Sequence, residues 1–389
     1  MKVALVHDYI KEYGGAERVL RVLADMYPDA PIYTAFRVKG STCDKEFSDR
    51  EIIESWFAPL LKIWRLYSPL RFLTPFIWGT MDLSGYDLVI TSASWYITRG
   101  FKVGKDTKVV CYCHTPPRWL YGYEMSVGFT KYWPVKVYAT IVGHFMRIYD
   151  FKVAQKVDRS EFKSKCKVRG GVDCFIANSE NVKKRIEKFY RRDAKVIYPP
   201  VDVTGIMDYE SRVKGKKENY YLMASRLVGA KGLEEVARAF RNQPKFKLKI
   251  VGEAHGFSDV EKKLKKLSGN NIELLGRVTD EDLYKLYAKA KGFIALARDE
   301  DFGMTVVEAQ AAGAPVIAFN GGGFRESVID GKTGILINDT DEKTLKTAIK
   351  RFNNTKWNKD ALQENAQRFS RERFEKEIKG FVQSIKREV

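Results

Sequence analysis

The stretch Gly292-Phe-Ile-Ala-Leu296-Ala-Arg298-Asp-Glu300-Asp-Phe302-Gly303-Met304-Thr305-Val-Val-Glu308-Ala-Gln-Ala-Ala-Gly313-Ala-Pro315-Val-Ile-Ala318 decides how the chain folds. An apolar run ends at Leu296, a polar loop follows, and an apolar helix starts near Thr305. Gly313-Ala-Pro315 stops that helix with a glycine-then-proline exit, and Pro315 to Ala318 reads as the next strand. Strand, helix and strand in so short a span form one unit of a doubly wound α/β layer.

The same alternation extends in both directions. Upstream, strands read as Val3 to His7, Leu88 to Thr91, Lys108 to Cys113, Cys174 to Ala177 and Lys195 to Tyr198. Around the quoted unit lie Tyr220 to Ala224, Phe246 to Val251, Ile272 to Leu275 and Gly334 to Ile337. Between strands fall helices such as Ala16 to Tyr27, with Val19, Val22, Leu23, Met26 and Tyr27 on one face. At 389 residues the chain is too long for one core. Tyr198-Pro199-Pro200-Val201-Asp202 interrupts it, since two prolines forbid a continuing helix or central strand, and polar, basic Ser211 to Asn219 follows. Domains are therefore expected at 1–205 and 206–370, with a charged helix over 371–389 carrying Phe374, Ile378, Phe381 and Ile385 on one stripe. That helix is expected to dock on either domain.

Composition narrows the class. With 44% hydrophobic and 30% charged residues the chain is globular. The five cysteines, Cys43, Cys111, Cys113, Cys166 and Cys174, are odd in number and irregular in spacing. That argues against a disulfide framework and for a reducing compartment. A strand-like run opens the chain, so no signal peptide is expected, and no apolar stretch is long enough to span a bilayer. The net charge of +19 is spread along the chain, densest over Lys62 to Arg71, Lys131 to Lys156 and Lys163 to Arg169. It forms no nucleic-acid-binding arm. A surface drawn to phosphate-rich ligands, one drawn to anionic lipid, and a plain solvated basic surface remain as readings. Trp56 to Met81 and Thr130 to Val157 mix aromatic, aliphatic and basic residues, as a membrane-surface element does; helices packed on a sheet with cations at the rim are the other reading.

Three constellations carry chemistry. Tyr13-Gly14-Gly15-Ala-Glu-Arg18 follows the first strand and opens a helix, where glycine permits close approach and helix amides face an anion. It lacks the full dinucleotide fingerprint, and a plain turn is the other reading. Ser225-Arg226-Leu-Val-Gly-Ala-Lys231-Gly232 lies at the carboxyl end of a strand, and its cations suit a diphosphate. In the opening stretch, Glu300 sits in the loop and Glu308 inside an apolar helix. A glutamate there demands a reason, because glutamates are rarely buried without a partner.

This ordering resembles the retaining GT-B glycosyltransferases of family 4, whose signature places two glutamates with seven residues between them in this setting. The resemblance covers essentially the whole chain. Its further marks are Gly14-Gly15, His114, Asn178-Ser179, Tyr198-Pro-Pro-Val-Asp202, Arg226 with Lys231, and Gly321-Gly-Gly-Phe-Arg-Glu326-Ser-Val328. His114-Thr-Pro-Pro-Arg118-Trp and Ile197-Tyr-Pro-Pro-Val-Asp202 are most similar to the O-antigen mannosyltransferase branch, which uses GDP-mannose. The resemblance implies two Rossmann-like domains facing a central cleft, with acceptor and nucleotide-sugar donor as substrates and neither cofactor nor metal. It implies that Arg226 and Lys231 hold the diphosphate, that Glu308 binds the ribose, and that Glu300 orients the sugar with the amides of Phe302, Gly303 and Met304. Thr305 belongs to the same helix start. Arg277 and Val278 would border the base, Gly14 and Gly15 would approach the diphosphate or acceptor, and His114 would lie near C6 of the sugar. The basic stretch Asp158 to Gly171 departs from the family pattern and reads as an insertion, either a surface loop or an acceptor-side contact.

Retention of configuration is likewise implied by the resemblance. The expected function is hexosyl transfer, mannose from GDP-mannose, to a glycan or polyprenyl-linked acceptor. The expected location is cytoplasmic, peripheral on an anionic inner membrane face. Two alternatives stand beside it: an epimerase or hydrolase of nucleotide sugars, and a non-catalytic glycan- or lipid-binding protein on the same scaffold.

Overall fold

The computed structural model describes residues 1–63, 69–123, 133–163, 165–212, 217–254 and 259–387. The described residues divide into two compact units, one of residues 1–123 and 133–198 and one from Pro199 onward. The division falls at the two prolines. Beyond them the chain belongs to the second unit at once, because Val201 N–H bonds Phe369 C=O (3.0 Å) and Arg371 N–H bonds Val201 C=O (3.1 Å). The helix Arg371–Arg387 is part of that second unit, with Phe374, Ile378, Val382 and Ile385 buried.

The first unit contains β1 (Val3–His7), β2 (Ile32–Thr34), β3 (Ile52–Glu54), β4 (Leu88–Ala93), β5 (Lys102–Val103), β6 (Lys108–Cys113), β7 (Val168–Arg169), β8 (Cys174–Ala177) and β9 (Ala194–Val196). Seven of these form a sheet in the order β3-β2-β1-β4-β6-β8-β9, parallel throughout. Every residue of β1 and β4 is buried, as expected of strands covered on both faces by helices. β2 and β3, absent from the sequence reading, have three residues each, β3 at the edge of the sheet and β2 beside it, and both are too short to show a period.

The basic stretch 158–171 is tied to this unit as structure. Arg159 pairs with Asp173 (2.9 Å) and also donates to Thr107 C=O (3.1 Å). Lys167 pairs with Asp82, and β7 runs antiparallel to β5. Ser164 lies outside the described residues.

The helix Trp133–Val153 is anchored through its last turns. Asp150 is fully buried and accepts from Arg99, from the Tyr121 hydroxyl (2.8 Å) and from the Tyr190 hydroxyl (2.9 Å). Removing one member of such a buried charged set costs about 3–5 kcal/mol. Met146 and Val153 pack with Ile97 and Leu120 beneath it.

The second unit contains β10 (Tyr220–Ala224), β11 (Lys247–Val251), β12 (Ile272–Gly276), β13 (Gly292–Ala295), β14 (Val316–Phe319) and β15 (Gly334–Ile337). They form one parallel sheet in the order β12-β11-β10-β13-β14-β15. This is the Rossmann order, in which the winding reverses between the first strand and the fourth. Leu233, Val236 and Phe240 of the helix Leu233–Arg241 pack on it beside Tyr221, Ile250, Ile294 and Phe352.

Candidate active site

In the second unit the winding reverses between β10 and β13, which are paired neighbours. Ligands bind such sheets at the carboxyl ends of the strands where the order reverses. Arg226 and Lys231 follow β10 and Glu300 follows β13, so the topology delivers both cations and the loop glutamate to one edge. Arg226 is exposed and Lys231 half-buried. Lys231 closes the short turn Gly229–Lys231 before Gly232, which is left-handed at φ +71°. A Cβ on Gly232 would lie 2.8 Å from Leu296 Cβ and 2.9 Å from its carbonyl oxygen. Only glycine lets the loop approach the end of β13 so closely, and the result is an ion pair. Lys231 Nζ stands 2.5 Å from Glu300 Oε2.

Backbone constraints hold Glu300 as well. Gly323 N–H donates to its carbonyl at 2.9 Å, and a Cβ on Gly322 would sit 2.3 Å from that oxygen. The triple glycine Gly321–Gly323 thus packs beneath the glutamate loop. Gly303, at φ +90°, caps the helix Met304–Ala311. A Cβ there would meet the Phe324 ring at 2.5 Å. The Phe302 side chain belongs to the core, packed edge-on against Phe369 at 5.2 Å between centroids. At this helix start Val306 N–H is already taken, bonding Gly303 C=O (3.1 Å).

Glu308 is 2% exposed, as its setting in an apolar helix required. Its partner is the Tyr287 hydroxyl, which donates to Oε2 at 2.9 Å. Next to it Gln310 is also buried, donating to Ser327 C=O (2.8 Å) and accepting from Asn365 (2.6 Å). The sequence reading singled out neither Tyr287 nor Gln310, although a glutamine in the same apolar helix carried the signal that marked Glu308. Arg277 is exposed and Val278 half-buried. Both follow β12, at the far edge of the sheet from β15.

In the first unit the winding reverses between β1 and β4, whose register sets His7 opposite Ser92. Asp8, at the end of β1, is 2% exposed and organises the loop after β4. Its Oδ2 accepts from Ser94 N–H (3.0 Å), Ser94 Oγ (2.7 Å) and Trp95 N–H (2.6 Å). Its Oδ1 accepts from Tyr96 N–H (3.1 Å) and Thr98 Oγ1 (2.6 Å). Asp8 was missed because its partners lie 86–90 residues away.

Gly14 caps the helix Gly15–Met26. Its amide does not face outward as expected but donates to Glu17 Oε2 at 2.9 Å, while Gly15 is exposed. The other Glu17 oxygen lies 3.3 Å from His7 Nε2, and His7 Nδ1 lies 3.0 Å from Ser92 Oγ. Ser92 Oγ then reaches His114 Nε2 at 2.8 Å. His114 is 8% exposed. Burial, reinforced by the nearby His7 charge, lowers its pKa to about 4, so its ring is neutral near pH 7. For His7, burial works downward, but the hydrogen bond and charge of Glu17 and the charge of Asp8 outweigh it and the pKa rises.

Two of the cations expected to meet a membrane, Lys62 and Arg71, are otherwise engaged. Lys62 pairs with Glu54 at 2.6 Å. The Arg71 guanidinium sits 4.1 Å from the Trp95 ring and 4.8 Å from the Trp119 ring, and burial lowers its pKa to about 10. Arg65, Lys131 and Tyr132 lie outside the described residues. What the surface does offer is apolar. Trp133, Val137, Ile141, Phe145 and Ile148 recur at three- and four-residue steps along one helix and are all exposed, Trp133 by 76% and Phe145 by 66%. Among the described residues no helix is long and apolar enough to cross a membrane.

Residues 13–204 match the family described as Glycosyltransferase Family 4, and residues 208–369 match Glycosyl transferases group 1. An uncharacterized glycosyltransferase of Methanocaldococcus jannaschii is 29% identical over 199 residues, 51% of this chain and 55% of that protein. The matched region thus spans about half the length of that relative. The GDP-mannose-dependent alpha-(1-6)-phosphatidylinositol monomannoside mannosyltransferase of Mycolicibacterium smegmatis is 31% identical over 137 residues, 32% of this chain and 36% of the other. The crystal structure of Anabaena HepE in complex with UDP-glucose has a TM-score of 0.65 at 21% identity, covering 99% of this chain and 100% of that one. At that identity the likeness is one of fold. With two parallel sheets whose domains match end to end, the chain belongs to the GT-B glycosyltransferases, a family 4 domain followed by a group 1 domain.

Proposed function

We propose that the protein transfers a hexose from a nucleotide-sugar donor to a glycan or polyprenyl-linked acceptor, with retention of anomeric configuration. The observation that carries this reading is the ion pair of Lys231 and Glu300 at the switch point of the second sheet. A cation suited to diphosphate and a carboxylate suited to sugar hydroxyls stand together where donors bind sheets of this order. In this reading Arg226 and Lys231 stabilise charge on the departing nucleotide, worth about 3–4 kcal/mol per well-placed donor. Glu300 and the amides around Gly303 orient the sugar, and Glu308 takes the ribose. The departing phosphate accepts the acceptor's proton, so no side-chain base is required and no metal enters the reaction.

GDP-mannose is the proposed donor. Support comes from the sequence motifs at His114 and Ile197 and from the name of the mycobacterial relative. The acceptor is proposed to lie at an anionic membrane surface, on the cytoplasmic side. The exposed stripe from Trp133 to Ile148, flanked by exposed Lys136 and Lys152, supports this.

The test is incubation with radiolabelled GDP-mannose or UDP-glucose and polyprenyl-linked saccharides. Label in the lipid phase, in a product with the donor's anomeric configuration, is the expected result. Free labelled sugar alone would assign the chain to donor hydrolysis or epimerisation. Absence of both turnover and nucleotide-sugar binding would leave a non-catalytic binding protein.

A further inference from the structure

The four groups Glu17, His7, Ser92 and His114 form one line across the carboxyl edge of the first sheet. They come from the first helix, β1, β4 and the end of β6. His7 and Ser92 are each 1% exposed, so the line is closed to bulk water along its middle. We propose that Glu17, His7 and Ser92 act as a relay that decides which ring nitrogen of His114 carries its proton.

The argument is one of donors and acceptors. A carboxylate accepts only, a neutral imidazole has one donor and one acceptor, and a hydroxyl has a single proton to give. When His7 is neutral, its proton lies on Nε2, facing Glu17, and its bare Nδ1 accepts the Ser92 hydroxyl proton. Ser92 Oγ must then accept from His114, so His114 carries its proton on Nε2 and its Nδ1 is bare. When His7 takes up a proton, both of its nitrogens donate. Nδ1–H now points at Ser92 Oγ and displaces the hydroxyl proton from that side, so the hydroxyl turns its proton to His114 Nε2, the acceptor left to it in the line, and that nitrogen becomes bare. The His114 ring therefore gives up its Nε2 proton along the line, through Ser92 to His7, and takes one from solvent at Nδ1. The net change is one proton bound, at His7.

Nε2 of His114 is engaged by Ser92, which leaves Nδ1 for a ligand. The relay thus turns that nitrogen from acceptor to donor as pH falls. The second imidazole nitrogen is commonly set by the hydrogen bond the first one makes, and here that bond is itself set one residue further back. The charged and titratable groups that bear on the line are few. Glu17 and Asp8 raise His7, His7 opposes charge on His114, and the buried Cys43 thiol facing Glu17 is pushed up and stays protonated. Asp8 is held by its five donors, so Glu17 is the acid in direct contact with the relay.

For catalysis the consequence rests on the proposed function, in which His114 faces the transferred sugar; the relay itself does not. His7 and Ser92 are in this sense positioning residues. The same linkage fastens the Gly14 turn to the sheet, since Glu17 holds the Gly14 amide with its other oxygen.

The chain has four histidines, His7, His114, His144 and His255, so side-chain nitrogen NMR on histidine-labelled protein without donor resolves each ring. The proposal expects His114 to be protonated at Nε2 above the titration of His7 and at Nδ1 below it, with one shared midpoint. In Ser92→Ala the His114 tautomer should lose that midpoint although His7 still titrates. Glu17→Gln, at the helix start outside the strands, should move the shared midpoint to lower pH. A His114 ring that keeps one tautomer through the His7 titration overturns the relay, as does a shared midpoint that survives Ser92→Ala or ignores Glu17→Gln. Because no donor is present, failure of sugar transfer leaves this result standing, and failure of the relay leaves transfer standing.

Discussion

Lys231 and Glu300 meet at 2.5 Å although 69 residues separate them in the chain. Each is about one fifth exposed, 24% for the lysine side chain and 18% for the glutamate. At that exposure the pair adds about 0.2–1 kcal/mol to folding, so stability does not account for its placement at the mouth of two adjacent strands. Under the proposed function, its value lies in meeting an arriving diphosphate. Lys231→Met should lower turnover by about 10² or more if the amine stabilises leaving-group charge. Glu300→Gln should lower it as well, and the double variant should lose less than the product of the two effects, because contacting residues couple by about 0.5–3 kcal/mol. Steady-state kinetics of the two single variants and the double variant check this; additive losses would separate the roles of the two residues.

Glu308 and Tyr287 give a second prediction. The Tyr287 hydroxyl occupies one lone-pair site on a buried carboxylate, which fixes the orientation of the other oxygen. Glu308→Ala should weaken nucleotide-sugar binding and remove the hydrogen bond that the Tyr287 hydroxyl donates to a buried carboxylate, costing about 1–3 kcal/mol of stability. Tyr287→Phe keeps the carboxylate but frees its rotamer, so donor affinity should fall less. Calorimetric titration of both variants distinguishes them, and unchanged affinity in Glu308→Ala would remove the ribose assignment.

His114 carries a pH prediction. Its pKa of about 4 in the fold lies below the ordinary value of 6.5. Between those values the unfolded chain binds a proton that the folded chain refuses, so this group's contribution to stability is present above about pH 6.5 and is lost as pH falls towards 4. The full shift corresponds to roughly 3 kcal/mol at most. His114→Gln should flatten the fall of denaturant midpoint over that window, measured against the wild-type chain at the same pH values. An equally steep fall in the variant would place the acid sensitivity elsewhere.

Lys62 and Arg71 are a poor test of membrane binding. Both are committed within the first unit. Ile141→Glu with Phe145→Glu, both on the exposed stripe, should abolish sedimentation with phosphatidylglycerol vesicles while leaving the thermal midpoint within a degree or two, since exposed sites change stability by about 0.5 kcal/mol or less. Undiminished sedimentation would count against a role for this helix.

What could be read in advance follows from range. Buried parallel strands announce themselves locally, and β1, β6, β8, β10 and β15 were legible residue for residue because each is a short apolar run bounded by turns. Glu308 was legible for the same reason in reverse, as one acid in an apolar helix. Asp8, Tyr287 and Arg71 were not. Their meaning lies in partners from 21 to 90 residues away for the first two, and for Arg71 in two indoles brought from later in the chain. Arg71 illustrates the risk: in sequence it belongs to a basic amphipathic stretch, in the fold it is a stacked cation.

The central claim is that the edge of the second sheet holds a nucleotide-sugar diphosphate between Arg226, Lys231 and the glutamate loop. Isothermal titration of GDP-mannose and UDP-glucose into the wild-type chain and Lys231→Ala tests it most directly. The account predicts saturable binding of at least one donor to wild type and a loss of about tenfold or more in the variant, equivalent to about 1.4 kcal/mol. Equal affinity in the two proteins, or no binding of either donor to the wild type, would contradict it.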